Sequence, residues 1–238
     1  MAEQRPVPIR WLWRAPIHAW WFVLRLVMWG RYLTRTAHAR PQPYLDWLRG
    51  KRVALVGNAQ SLMDQNMGAI IDGHDVVIRF NHGYVGKPQA QGRRTDMLVL
   101  SCKLPEAQLR AHFQPRHVLW VTPKWWHMQP YSQEILSKLA VFPRREWFAM
   151  SRALLRGQRP STGFVVVMHL VQTKVASELH LFGFDGGLTR TFYNHPSYQT
   201  PHALSCEAQL LLQAHERGDL VLHGVHSLTA TEQGAKFS

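Results

Sequence analysis

The chain has 238 residues, 46% of them hydrophobic and only 18% charged, enough apolar material for one sizeable core. That excludes a disordered chain, a collagen-like repeat and a disulfide-stapled miniprotein. The formal charge of +13 is uneven: residues 1–52 hold ten of the 28 basic side chains against Glu3 and Asp46 alone, together with six of the ten tryptophans.

Residues 11–30, WLWRAPIHAWWFVLRLVMWG, approach the length of roughly 20 residues that a bilayer-spanning helix needs. Their chemistry argues otherwise. At about 100° per residue, Arg10, Arg14, His18 and Arg25 fall on one helical stripe, opposite Trp, Phe, Leu and Val. This pattern predicts an amphipathic helix lying in the headgroup region of a membrane, with residues 10–35 as the contact surface. A single-pass helix and a helix packed on the protein's own folded domain are the alternatives. A signal peptide is disfavoured, because Arg25 interrupts the apolar run and no small-residue cleavage site follows. One domain with an N-terminal appendage is expected, not two full domains: a membrane-interacting segment over 1–50 precedes a catalytic domain over 51–238.

From Lys51 onward, short β-branched runs alternate with helical stretches. Strands are predicted at 52–58, 74–81, 95–102, 117–123, 146–151, 178–185 and 220–224. Helices are predicted at 105–113, 132–142, 161–176 and 202–218. The loop at 83–94, GYVGKPQAQGRR, reads as the least structured part. Near-continuous apolar strands such as VALV imply cover on both faces, so the expected fold class is α/β, with a doubly wound, mostly parallel sheet of Rossmann-like type. Ligands in such folds sit beyond the carboxyl ends of the strands. The loops starting at Gly57-Asn58, Asn81-His82-Gly83 and Asp185-Gly186-Gly187 are therefore the ones to inspect.

Gly57-Asn58-Ala59-Gln60-Ser61 is neither a dinucleotide fingerprint nor a Walker A sequence; on its own it reads as a strand-to-helix turn. Arg159-Pro160-Ser161-Thr162-Gly163 opens a long apolar helix. Its hydroxyls either cap that helix or, with the free amides and the dipole, hold a phosphate or carboxylate. His202 stands at the predicted start of the last long helix, behind the proline-broken loop YNHPSYQTP, a position that raises it above the other 13 histidines as a general base. No Asp-x-Asp pair occurs, so a divalent metal spanning a diphosphate is not expected, and no metal site is assigned. Cys102 and Cys206 form neither a disulfide framework nor a zinc pattern, and no Asn-x-Ser/Thr acceptor is present, which fits a reducing compartment. The clustered tryptophans, Trp125-Trp126 among them, fit core packing or lipid contact better than a cofactor.

In order, these segments resemble glycosyltransferase family 29, the animal-type sialyltransferases, in a bacterial-type form. RVALVGNAQSLMDQNMGAIIDGHDVVIRFN (52–81) is similar to the family's large motif, with GRRTD (92–96) as its continuation. RPSTGFVVVMHLVQTKVASELHLFGFD (159–185) is similar to the small motif. HALSCE (202–207) is similar to the very small motif, a histidine followed five positions later by glutamate. The short third motif is not cleanly matched, so TFYN (191–194) and HPSYQ (195–199) compete for its place. The cysteines that join the large and small motifs in secretory-pathway members fall at Val53 and Ala176, so that bridge is absent.

The resemblance implies a variant of the GT-A type of fold. It also implies an inverting, metal-independent sialyltransferase, with no cofactor beyond its CMP-sugar donor. Asn58 and Asn81 would contact phosphate and ribose, with Gly57 at the same turn. Ser161, Thr162 and Gly163 would cradle the phosphate and the sugar carboxylate, Gly183 and Phe184 would flank the nucleotide, and Tyr193 or His195 would assist the departing phosphate. His202 would be the catalytic base. The expected partners are a CMP-activated acidic sugar, a glycan or glycolipid acceptor and a membrane surface, at the cytoplasmic face of a bacterial inner membrane. CMP-Kdo is the alternative donor. A non-catalytic basic module binding membrane or nucleic acid is the alternative of another class, but no nucleic-acid partner is expected, because most of the excess charge lies in an apolar, tryptophan-rich segment rather than on a solvated face.

Overall fold

The computed structural model describes Trp20, Phe22 to Leu24, Leu26, Val27, Gly30 and residues 43–224 other than 125, 126, 130, 156, 157, 196, 198 and 199. Most of the expected N-terminal amphipathic helix, including Arg10, Arg14, His18 and Arg25, lies outside the described residues, as do Trp125 and Trp126. Among the described residues no helix is long and apolar enough to cross a membrane.

After helix α1 (Pro43–Leu48) come β1 (Arg52–Val56), a 3-10 turn (Gln60–Asp64), α2 (Gly68–Asp72), β2 (Val76–Phe80), α3 (Pro88–Gln91) and β3 (Met97–Leu100). The chain continues through α4 (Glu106–His112), β4 (His117–Trp120), α5 (Gln133–Lys138), β5 (Leu139–Val141), α6 (Arg144–Leu155) and α7 (Thr162–Thr173). The last elements among the described residues are β6 (Glu178–Phe182), α8 (Leu204–Glu216) and β7 (Val221–Leu222). Among the described residues seven strands form one sheet in the order β5-β4-β3-β2-β1-β6-β7, with each of these pairings parallel. The order reverses between β1 and β6, which makes their carboxyl ends the topological switch point.

Strand periodicity explains the two-faced cover. Val53, Leu55, Ile78, Val99 and Leu181 point to one layer, where they pack with Tyr44 and Leu48 of α1, Met150 of α6, Phe164 to Leu170 of α7 and Leu211 of α8. Their neighbours point the other way: Ala54, Val56 and Phe182 meet Leu62 and Ile71, while Leu98, Leu100 and Trp120 meet Leu109 of α4 and Ile135 of α5. Alternate residues thus serve opposite layers, as strands buried on both faces require. Tyr44 ties α1 into its layer, sharing a hydrogen bond with His169 Nε2 at 3.2 Å, whose Nδ1 meets Glu146 at 3.0 Å.

Two expectations change here. The strand predicted at 146–151 is part of α6: the apolar run Trp147-Phe148-Ala149-Met150 suggests extension, yet Trp147, Met150, Leu154 and Leu155 recur at helical spacing and supply the face that packs into the core. The missing strand is β5, which the sequence reading placed inside the 132–142 helix. That helix ends at Lys138, and Leu139 and Val141 then alternate inward beside β4.

The 83–94 segment also departs from expectation, for it is ordered around a buried cation. Arg79, 1% exposed, donates from Nε to the carbonyl of Arg94 and from Nη2 to that of Gln91, and burial lowers its pKa to about 10. Gln91 in turn accepts from the amides of Gly86 and Lys87. Pro88 begins the single turn of α3, where a missing N–H costs nothing.

Candidate active site

At the switch point β1 and β6 converge too closely for side chains. Gly57 N–H donates to Phe182 O at 2.7 Å, and a Cβ on Gly57 would stand 2.3 Å from the Gly183 carbonyl oxygen, so only glycine fits. Asn58 is then aimed off the strand end. Its Nδ2 donates to Phe80 O at 3.0 Å and toward the Tyr193 hydroxyl at 3.4 Å.

The segment 190–193 is laid alongside this turn. Phe192 N–H donates to Asn58 O, Gln60 N–H donates to Arg190 O, and Ala59 bridges Thr191. Tyr193 is thereby brought to Asn58, with its ring 5.7 Å from that of His82. His195 is exposed and engages its own neighbour, Ser197 Oγ, at 2.8 Å. Of Tyr193 and His195, Tyr193 is the one beside Asn58.

Asn81 leaves β2 with φ of 53°, a left-handed conformation that asparagine tolerates better than most residues. Its Oδ1 accepts from Ser101 N–H at 2.8 Å and from Ser101 Oγ at 3.2 Å. Ser101 Oγ accepts from Thr162 Oγ1 at 2.6 Å. A chain of polar contacts therefore joins the ends of β2 and β3 to the first residue of α7.

Ser161 is the N-cap of α7, and its Oγ accepts from Phe164 N–H at 3.2 Å. Both of its donors are used as well: N–H and Oγ donate to the two oxygens of Glu207 at 2.6 and 2.5 Å. The hydroxyls of Ser161 and Thr162 are thus occupied within the protein. The N–H groups of Thr162 and Gly163 have no acceptor among the described residues, leaving two backbone donors at the positive end of a 12-residue helix. Phe184 covers the same spot; a Cβ on Gly163 would come within 2.8 Å of its ring, and the ring stands edge-on to Phe80 at 6.0 Å.

Glu207 is 4% exposed. Burial pushes its carboxyl above the usual range, opposed by the two Ser161 hydrogen bonds. By gripping Ser161 it locks the start of α8 to the start of α7, which sets His202 beside residue 159. His202 Nδ1 lies 3.3 Å from Arg159 O. A carbonyl only accepts, so Nδ1 carries the proton and Nε2 keeps its lone pair. Burial lowers the pKa of His202, and the charges of Arg159 and Lys124 add to that; the contact with Arg159 O opposes them.

Four residues with structural weight at this site escaped the sequence reading of roles: Glu207, Ser101, Asp185 and Thr189. Glu207 stands in the quoted HALSCE segment and Asp185 in one of the loops singled out, but neither had a function assigned. Asp185 accepts from Ser61 Oγ at 2.9 Å, from the Gly187 and Thr189 amides, and from the Thr189 hydroxyl, fixing the loop that delivers Tyr193. Cys102 and Cys206 are both free; burial pushes the Cys102 thiol up to about 11. Among the described residues no group of three or more His, Cys, Asp or Glu side chains could hold a metal ion.

The comparison with known proteins agrees with the motif resemblance. Residues 31–122 match the family model described as Glycosyltransferase family 29 (sialyltransferase). A mammalian sialyltransferase crystallised with Gal-beta-1-3GalNAc-ortho-nitrophenol aligns over 82% of this chain and 84% of its own, at 16% identity and a TM-score of 0.52. The sialyltransferase CstII from Campylobacter jejuni, in complex with the substrate analogue CMP-3FNeuAc, aligns over 76% of this chain and 84% of its own, at 14% identity and a TM-score of 0.51. CstII with a trisaccharide acceptor and CMP gives the same TM-score of 0.51. At these identities the likeness establishes a shared fold.

Proposed function

From the family 29 match over residues 31–122 and the sialyltransferase fold as premise, we propose that this protein is an inverting sialyltransferase, moving sialic acid from CMP-sialic acid to a glycan hydroxyl without a metal. The observation that carries the proposal is the pair of unpartnered amides at Thr162 and Gly163, at one helix start with the His202 imidazole held on Arg159 O. The amides suit a phosphate or carboxylate. The imidazole suits an alcohol that must lose a proton.

The chemistry balances with these groups alone. The acceptor oxygen attacks the anomeric carbon as His202 Nε2 takes its proton. The bond from that carbon to the phosphate oxygen breaks, and the electron pair leaves on CMP, through an oxocarbenium-like transition state. The Thr162 and Gly163 amides meet the charge gathering on the phosphate. Ser161, in this reading, is a positioning residue: its hydroxyl and amide serve Glu207 and the helix cap. Asn58 and Tyr193 line the nucleotide side together with Gly57, Gly183 and Phe184, and Asn81 braces the floor through Ser101. His195 belongs to the rim.

The test is a thermal-shift series with CMP, CDP, UDP and GDP on the full chain. A stabilisation by CMP that the other nucleotides do not match is expected. Equal shifts for all four, or none for CMP, would refute the donor assignment.

The enzyme also works at a membrane surface in this proposal. Trp20, Phe22, Val23, Leu26 and Val27 are helical and exposed, Trp20 by 67%, which supports a helix whose apolar face lies among lipid headgroups. Deleting residues 1–35 should shift the protein from the membrane fraction to the soluble fraction. Unchanged recovery with membranes would count against the anchoring role of that segment.

A further inference from the structure

Beside the His202 end of the site lies a group of cations that the donor reading does not use. Lys103 follows β3 and Lys124 follows β4, strands paired at Leu100 and Trp120, so the two loops leave the sheet as neighbours. Ser101, two residues before Lys103, is hydrogen-bonded to Thr162 at the start of α7, and Arg159 precedes that start by three residues. Arg159 O holds His202, and His127 N–H is bonded to Lys124 O.

None of Lys103, Lys124 and Arg159 has a carboxylate partner among the described residues. The acidic residues nearest in the chain are already committed: Glu106 and Glu134 pair with Arg110, Glu134 also with Lys138, and Glu146 with His169; Glu207, beside the site, is buried on Ser161. The two imidazoles feel the cations. Burial first, then Lys124, Lys103 and Arg159, hold His127 below its ordinary value, and burial with Arg159 and Lys124 does the same to His202.

The strand-end positions of Lys103 and Lys124 separate them from the nucleoside, while the donor phosphate lies at the α7 start between the two. With adjacent strands about 4.8 Å apart, the ends of β3 and β4 stand about 10 and 14 Å across the sheet from β1. The nucleotide side is at β1 and β6, around Asn58 and Phe184. Uncompensated like charges gathered on the base side of a site raise the local concentration of an anionic second substrate and fix its orientation.

We propose that the acceptor of this enzyme carries a negative charge, a phosphate or a sugar carboxylate, close to the hydroxyl that is modified, and that Lys103, Lys124 and Arg159 bind that anion. This rests on the transferase reading above and names its second substrate. A neutral acceptor would leave three cations without a counter-charge beside the base. An anionic one places its charge among them with the hydroxyl directed to His202 Nε2.

The experiment uses the full chain saturated with CMP and titrates three probes, galactose, galactose 6-phosphate and galacturonate, by calorimetry. The two anionic sugars should bind at least about tenfold tighter than galactose. The double variant Lys103→Gln/Lys124→Gln should lose that margin while its CMP affinity stays at the wild-type level. A margin confined to galactose 6-phosphate assigns a phosphorylated acceptor, and one confined to galacturonate assigns an acidic sugar. Equal binding of the three probes, an undiminished margin in the variant, or a parallel fall in CMP affinity would overturn the proposal. Failure of the wild-type chain to take up CMP at all would instead refute the transferase reading, so the two failures are told apart in the first titration.

Discussion

Replacing His202 by alanine is expected to lower turnover about 100- to 10,000-fold, the usual contribution of a positioned general base, while CMP affinity stays within about twofold. The asymmetry follows from geometry. His202 is held on the Arg159 carbonyl at the start of α7, on the acceptor side, and touches none of the Asn58, Gly183 or Phe184 groups that line the nucleotide side in this account. The pH profile carries a second signature. The base works only when neutral, and burial together with Arg159 and Lys124 disfavours the imidazolium. Turnover should therefore persist as the pH falls past the ordinary histidine value and drop only at the lower, depressed pKa of His202. Near-normal turnover in His202→Ala, or an acid limb at or above the ordinary histidine range, would remove His202 from the mechanism.

Glu207 should produce the largest combined loss of stability and activity. Each of its oxygens accepts from Ser161, one from N–H and one from Oγ, in a setting where the carboxylate is 4% exposed. Glu207→Ala leaves those donors buried without an acceptor at a cost of about 2–4 kcal/mol, read as a lower denaturation midpoint. It also uncouples the start of α8 from the start of α7. His202 should drift from its place, so turnover falls at temperatures where the variant is still folded. Glu207→Gln keeps the shape but offers one acceptor oxygen for two donors. It should fall between wild type and alanine on both readouts. An alanine variant as stable and active as wild type would show that the Ser161–Glu207 contact fixes nothing.

The parts of the fold legible in the sequence are those set by local chemistry. Apolar runs ending in glycine or asparagine marked β1 and β2 and placed Gly57, Asn58 and Asn81 at strand ends. Ser161 before a long apolar run marked the N-cap of α7. What escaped depends on residues far apart in the chain. The Ser161–Glu207 contact spans 46 residues, so no spacing rule could tell that the serine hydroxyl is spent on a carboxylate, which leaves the backbone amides of Thr162 and Gly163 as the donors without an acceptor among the described residues. The order in 83–94 comes from Arg79, whose burial cannot be seen in a strand that reads VVIRF. The exchange of β5 for a strand at 146–151 has a related cause. A three-residue edge strand after a helix, and a helix with a run of consecutive apolar residues, both look locally like something else, and only packing against β4 and the core decides between them.

The choice between Tyr193 and His195 was open in sequence for a similar reason. The loop around them is rich in proline and polar residues, without periodicity. Its path is set by Asp185, which gathers Ser61, Gly187 and Thr189, and by the bridge between Ala59 and Thr191. Those contacts bring residue 193 to Asn58 and leave residue 195 outside.

The most direct measurement is a crystal structure of the full chain soaked with CMP. The nucleotide should occupy the crevice between the ends of β1 and β6, its phosphate accepting from the amides of Thr162 and Gly163, with Asn58 alongside and His202 Nε2 open toward the acceptor side. Nucleotide bound away from that crevice, or a phosphate turned from the α7 start, would contradict the account at its root.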